Sequence, residues 1–264
     1  MKKRLFILFL FTFFSSTNIV FSQVGIDWQH WSAGTAHLLS ENRIEIGVFQ
    51  PLRYGYSESL EFSTHPLLFF IMPNFSVKWA HQQIGGFTIA SRHGVSHPSP
   101  LLRVLGRPGI GGMISPEFHI PAIVSFQNEL LASRWLWYNH LFTVNLAFNF
   151  AFKSGPLDPR TTIDLPVVYI RSGVYYHDYG LILGGDIKGR LIGRWMYLVD
   201  AQLFYYPKAP TDVNMAFEHK GLLSWNKSAG FQFCAGYILS YGEYPFGTQW
   251  HLLPLLDVQW GWKR

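Results

Sequence analysis

Within ASRHGVSHPSPLLRVLGRPGIGGMISPEFHIP, residues 90–121, the groups Arg92, His93, Ser96, His97 and Ser99 stand close together. Serine beside histidine is the raw material of acyl transfer. An imidazole takes the hydroxyl proton, the oxygen attacks a carbonyl, and a third group orients the imidazole. His93, Ser96 and His97 are therefore the candidate catalytic groups, with Glu129 or Glu218 as the orienting carboxylate. The stretch carries no GxSxG nucleophile elbow. His93, His97 and His119 do not have the spacing of a zinc site. Gly184-Gly185 and Gly111-Gly112 form no phosphate-cradling loop, so no cofactor is implied.

A second chemistry, solvation of a polar solute, is suggested by charged and amide residues that recur on one parity of alternating segments. In LFTVNLAFNFAFK, residues 141–153, Phe142, Val144, Leu146, Phe148, Phe150 and Phe152 share one parity, with Asn145 and Asn149 on the other. Strand side chains alternate with period two, so such a segment has an apolar face and a small polar face. The same pattern puts Arg171, Asp186, Lys188, Arg190, Glu218, Lys220 and Gln232 opposite apolar neighbours. In a closed membrane barrel the apolar parity meets lipid and the polar parity lines a lumen. EHK at 218–220 sets Glu218 and Lys220 on the same side, where they can pair.

Composition and the N-terminal residues favour the membrane version. Lys2, Lys3 and Arg4 precede an apolar run from Leu5 to Phe14, and Val20 and Ser22 stand before Gln23 as a small-residue cleavage site. Residues 1–22 read as a secretory signal peptide, too short to span a bilayer as a helix. Three of the 21 basic residues and none of the 16 acidic ones lie there, leaving a mature net charge of +2 and no basic run for nucleic acid. Charged residues make up 14% of the chain and aromatics 17%, against about 25% charge in ordinary soluble domains. Cys234 is the single cysteine, so no disulfide framework exists.

Twelve strands are expected, at 43–55, 59–69, 75–82, 86–93, 119–133, 138–153, 164–176, 180–190, 195–206, 214–225, 229–241 and 249–262, closing an all-β, antiparallel transmembrane barrel over 23–264. Trp135, Trp137, Trp195, Trp225, Trp250, Trp260 and Trp262 fall near the ends of these strands and Trp79 does not, which suggests aromatic girdles. The segment 90–121 is the least strand-like, with Ser99 as N-cap of a short helix over 100–105 and Gly106 as its stop. Counting from a periplasmic N-terminus places it on the periplasmic side, as a plug or a rim loop.

The export segment, the alternating strands and the Trp-rich LLDVQWGWKR resemble Gram-negative outer-membrane β-barrel proteins. RIEIGVFQPLRYGYSESLEFSTHPL and SYGEYPFGTQWHLLPLLD are similar to barrels of that class with no assigned activity. The resemblance implies an outer-membrane location, contact with lipid, and handling by the outer-membrane assembly machinery. Many members end on an aromatic residue, whereas here Lys263 and Arg264 follow Trp262. Three functions fit: a channel for small solutes, a lipid-modifying hydrolase using 92–99, and a structural barrel with a blocked lumen.

Overall fold

The computed structural model describes residues 30–109, 113–137, 139–163, 165–207, 215–244 and 247–264. The signal peptide expected at 1–22 lies outside them. Twelve antiparallel strands close on themselves: β1 (Arg43–Gly47), β2 (Leu52–Ser57), β3 (Leu60–Thr64), β4 (Asn74–Ala80), β5 (Thr88–Ser96), β6 (Ile123–Leu136), β7 (His140–Lys153), β8 (Tyr179–Ile192), β9 (Trp195–Tyr205), β10 (Met215–Ser228), β11 (Phe231–Tyr244) and β12 (Gly247–Lys263). Each strand pairs with its sequence neighbour, and β1 closes the ring on β12 from Arg43 opposite Lys263 to Gly47 opposite Gln259. Closure joins β1 to β12 over residues 259–263, whereas β12 from Gly247 to Asp257 pairs with β11 alone. A closed ring is a condition for a sheet inside hydrocarbon.

The parity pattern becomes the two faces of the wall. Leu146, Phe148 and Phe152 on β7, Leu183 on β8, Leu223 on β10 and Leu252 and Leu256 on β12 stand exposed on the outside. Arg43, Glu45, Arg53, Glu61, Lys78, Glu129, Asp186, Asp200 and Glu218 are buried. This is the inverse of a soluble sandwich, and a charged side chain on the outside at midplane would cost about 2–4 kcal/mol. The chain is an outer-membrane β-barrel.

The two ends differ in a way that orients it. One end has the short turns β2–β3, β4–β5, β6–β7, β8–β9 and β10–β11 together with the start of β1 and the end of β12. The other carries the long connections and the four short α-helices of the described residues: α1 (Pro66–Phe69), α2 (Ser99–Leu105), α3 (Pro166–Ser172) and α4 (Val174–His177). Short turns mark the periplasmic side of such barrels. The wall is also uneven. Strands β1 to β4 run 5 to 7 residues, whereas β6, β7, β8, β10 and β11 run 14.

The strand expected at 59–69 ends at Thr64, with Pro66–Phe69 turning into α1. Two further assignments change and offset each other in the count. The segment 43–55 is not one strand but most of a hairpin, β1 and β2 joined through residues 48–51. Four turn residues preserve parity, so Ile44 and Ile46 stay in phase with Leu52 and Tyr54 and the alternation reads straight through. In place of the strand expected at 164–176, Pro166–Ser172 and Val174–His177 are helical, and residue 164 lies outside the described residues. Pro166 stands in the first turn of α3, and Ile170, Val174 and His177 at i, i+4, i+7 spacing are buried together. Between these two errors every strand runs opposite to its expected direction. The stretch after β5 therefore emerges on the long-connection side, not the periplasmic side.

Within 90–121, residues up to Ser96 complete β5, and α2 follows. Ser99 opens α2 but does not cap it. Its hydroxyl donates to the Pro121 carbonyl at 2.8 Å and accepts from the Ile123 amide at 2.6 Å, fastening the helix to the start of β6. Gly106 closes the helix as expected. Trp79 is the penultimate residue of β4 and projects outward, so it too sits at a strand end. Trp195 stands opposite Trp225 at the short-turn end.

Candidate functional site: a barrel interior closed from both ends

Residues 30–40, which precede β1, turn back into the short-turn end of the barrel and are held there largely through their own backbone. The Trp31 amide donates to Glu45 Oε1 at 2.9 Å, the Ala36 amide to Ser133 Oγ at 2.8 Å and the Leu39 amide to Glu61 Oε2 at 2.9 Å. In return Lys78 Nζ donates to the His37 carbonyl at 2.6 Å, and Lys188 Nζ to that of Trp31. Arg53 reaches Ser32 Oγ at 3.2 Å. A segment without secondary structure can be buried only if its backbone groups find partners, and here the wall supplies them. Gly55 makes the close approach possible, because a Cβ there would lie 2.3 Å from the Ser40 carbonyl oxygen.

Those wall residues are themselves tied into an ion-pair lattice. Arg53 bridges Glu45 at 3.0 Å and Glu61 at 2.8 Å, Arg43 pairs with Glu45 at 2.8 Å, and Arg92 pairs with Glu129. Asn145 Nδ2 donates to Glu129 Oε1 at 3.0 Å. Buried charges persist only when paired in this way. His37 lies 6.0 Å from Trp135 between ring centroids. Burial first, and Lys78 and Lys188 next, hold its imidazole below the usual range, so it is neutral at pH 7.

The long-connection end is closed differently. Helix α4 packs on β7 and β8, α3 on β11, and Leu102, Ile114, Ile120, Ile163, Ile170, Val174, Phe204 and Tyr206 form one apolar cluster with them. Tyr206 lies against Gly173 and Gly180, where an added Cβ would come within 2.7 and 2.6 Å of its ring, and its hydroxyl donates to the Ile170 carbonyl. Arg171 makes a bidentate pair with Glu218, both contacts 2.8 Å. Burial pushes the Tyr175 and Tyr176 phenols up to about 12. Both hydroxyls therefore remain protonated donors, Tyr176 to the Thr161 carbonyl at 2.9 Å.

Between the closures lies a charged middle. Asp186 on β8 stands opposite Asp200 on β9, and Lys220 Nζ is 3.7 Å from Asp200. Asp186 Oδ1, Asp200 Oδ1 and Asn149 Oδ1 are buried and accept no hydrogen bond from the described residues.

The residues singled out from the sequence are distributed as follows. Asn145, Asn149, Asp186, Lys188, Glu218 and Lys220 share the inward parity of the long strands. Arg190 bonds the Gly193 carbonyl at the short-turn rim, and Gln232 bonds Asn226. Arg171 reaches Glu218 from a helix, not from a strand. Glu45, Arg53, Glu61, Lys78 and Asp200 were not named as lumen-lining, although each occupies the polar parity of its strand, and Arg92 was grouped with the His/Ser stretch instead of the interior. His93, Ser96 and His97 do not converge. His93 projects outward, Ser96 inward to the Tyr175 hydroxyl, and His97 Nδ1 meets the Ile123 carbonyl at 2.6 Å. No group of three potential metal ligands occurs among the described residues.

No family model and no curated protein matches this chain. Among solved structures it is similar to OccK1 (OpdK) of Pseudomonas aeruginosa at 12% identity, TM-score 0.41, covering 84% of this chain and 57% of that one. OccK11 (OpdR) of the same organism gives 10% identity, TM-score 0.39, and 88% against 61%. A bacterial polysaccharide outer membrane secretin gives 9% identity, TM-score 0.44, and 86% against 78%. The chain spans a little over half the length of the OccK proteins, and at these values the likeness adds nothing to the closed barrel already described.

Proposed function

We propose that the protein passes small polar solutes across the outer membrane, and that residues 30–40 are a displaceable stopper. One observation carries the reading. Asp186 Oδ1 and Asn149 Oδ1 are buried and accept no hydrogen bond from the described residues, and Asp200 Oδ1 faces Lys220 Nζ at 3.7 Å. Buried polar oxygens left short of donors are best satisfied by water. The middle of the barrel is therefore lined by charge and amide groups and is not an apolar core. Withdrawal of the stopper exchanges its backbone hydrogen bonds for water, at a net cost of about 0.5–1.5 kcal/mol for a neutral partner and about 1.5–3 kcal/mol for a charged one.

The test is single-channel conductance in planar bilayers for a chain carrying Ala36→Cys and Ser133→Cys, residues already joined by the 2.8 Å amide–hydroxyl bond. Conductance bursts under reducing conditions that vanish on oxidation support the stopper. Silence under both conditions favours a permanently blocked structural barrel, a reading to which the apolar core of the long-connection end lends weight.

A further inference from the structure

The outer wall carries a polar island where the pattern calls for lipid. Ser91 and His93 project outward from β5, and Asn128 projects outward from β6 directly opposite His93. Around them stand Val77 and Trp79 on β4, opposite His93 and Ser91, and Phe148 on β7, opposite Asn128. Phe126 and Leu130 flank Asn128 along its own strand. Polar side chains facing hydrocarbon are costly unless they satisfy one another, and these do. His93 Nδ1 lies 2.8 Å from Asn128 Oδ1, His93 Nε2 lies 3.1 Å from Ser91 Oγ, and His81 Nε2 lies 2.8 Å from the same Oγ.

One set of proton positions satisfies the whole chain with His93 neutral. Asn128 Oδ1 can only accept, so His93 Nδ1 carries the hydrogen. Its Nε2 is then a bare acceptor for the Ser91 hydroxyl, and Ser91 Oγ accepts from His81 Nε2–H. That is the nucleophile, base and orienting group of a serine hydrolase, in the tautomer the chemistry requires. It faces outward, toward lipid.

We propose that Ser91, His93 and Asn128 form an acyl-ester hydrolase site on the lipid-facing wall, acting on the acyl esters of membrane lipids. Ser91 Oγ attacks the ester carbonyl carbon while its proton passes to His93 Nε2. The carbon–alkoxy bond breaks, and the leaving alcohol takes that proton. Water then attacks the acyl-Ser91 ester, gives its proton to His93, and the free carboxylic acid leaves as the proton returns to Ser91. His81 Nε2–H is the donor within reach of the carbonyl oxygen as it turns negative. Asn128 is a positioning residue that holds the imidazole.

The acyl chain has a place as well. Phe148, beside Asn128, also lines an outer groove of about 660 Å³ with Phe150, Phe152 and Tyr179. A chain laid across Phe148 continues into it.

The full chain in detergent micelles containing phosphatidylcholine, with a fluorophosphonate as serine-directed probe, tests this. Release of free fatty acid and a probe adduct mapped to Ser91 by mass spectrometry are expected. Ser91→Ala abolishes both, and His93→Ala lowers release by at least ~1,000-fold. Asn128→Ala lowers kcat with little change in KM, and Asn128→Asp restores it. Phe148→Ala flattens the dependence on acyl-chain length. These side chains touch nothing in the interior, so the heat-modifiable mobility of the folded barrel is retained. Oxidising the chain that carries Ala36→Cys and Ser133→Cys leaves hydrolysis unchanged, which separates this site from the stopper. Absence of both adduct and fatty-acid release from the unaltered protein overturns the proposal.

Discussion

At the short-turn end the closing segment enters as bare backbone gripped by charged side chains, whereas at the long-connection end short helices bring an apolar core with them. The stopper's amides and carbonyls meet Glu45, Glu61, Ser133, Lys78 and Lys188. The opposite closure buries Ile170, Val174, Phe204 and Tyr206. Hydrogen bonds trade almost evenly for water, but buried apolar area does not. Two plugs of similar appearance thus differ in durability: one is latched, the other is folded in.

The largest expected effect comes from attacking the folded-in side. Tyr206→Ala removes a ring packed on Gly173 and Gly180 and leaves the Ile170 carbonyl without its donor, a loss of about 3–5 kcal/mol. Urea unfolding in detergent measures it, and hydrogen exchange should rise across α3 and α4 while the Leu39 amide stays protected. Equal loosening at both ends would dissolve the distinction.

A smaller effect is expected from Glu61→Gln. Arg53 keeps Glu45 but loses its second carboxylate, for about 1–3 kcal/mol locally. Amide exchange at Trp31, Ala36 and Leu39 should rise at least tenfold, with α3 and α4 unaffected. Conductance bursts, if the stopper gates the lumen, become more frequent.

The smallest and most diagnostic difference is in pH. His37 has a depressed folded value, so the neutral docked form is favoured. Its contribution is complete above the ordinary imidazole range and is lost as pH falls below about 6.5. Tyr175 and Tyr176 have raised values, so their contribution is complete below about pH 10 and fades toward 12. Acid should release the stopper first and alkali the helical closure first. Hydrogen exchange at pH 5 and limited proteolysis at pH 11 check the two halves.

Much of the barrel was legible because one variable, side-chain parity, carries both the strand signal and the sidedness. The same variable misled wherever it was preserved by accident. Four turn residues between Gly47 and Leu52 kept Ile44 and Tyr54 in phase, so a hairpin looked like one strand. Apolar residues on both parities of 164–176 belong to buried helices, and Pro166 at their start was the missed cue. The interior site was half visible. Arg43, Glu45, Arg53, Glu61 and Lys78 obey the polar parity, but nothing in their spacing announces that residues 30–40 come back to meet them, since that contact depends on closure. His93 was set beside Ser96, whereas the structure sets it beside Ser91. Ser96 is an odd number of residues away and so lies across the wall, whereas Ser91 is two away and shares its face.

The unequal wall has a consequence for the lipid beside it. A strand of five to seven residues covers roughly 17–23 Å, well under the ~30 Å of an average hydrocarbon layer. Along β1 to β4 the bilayer must pinch to match, through hydrophobic mismatch. Headgroups along that flank are drawn toward the midplane, as far as Trp79 at the end of β4.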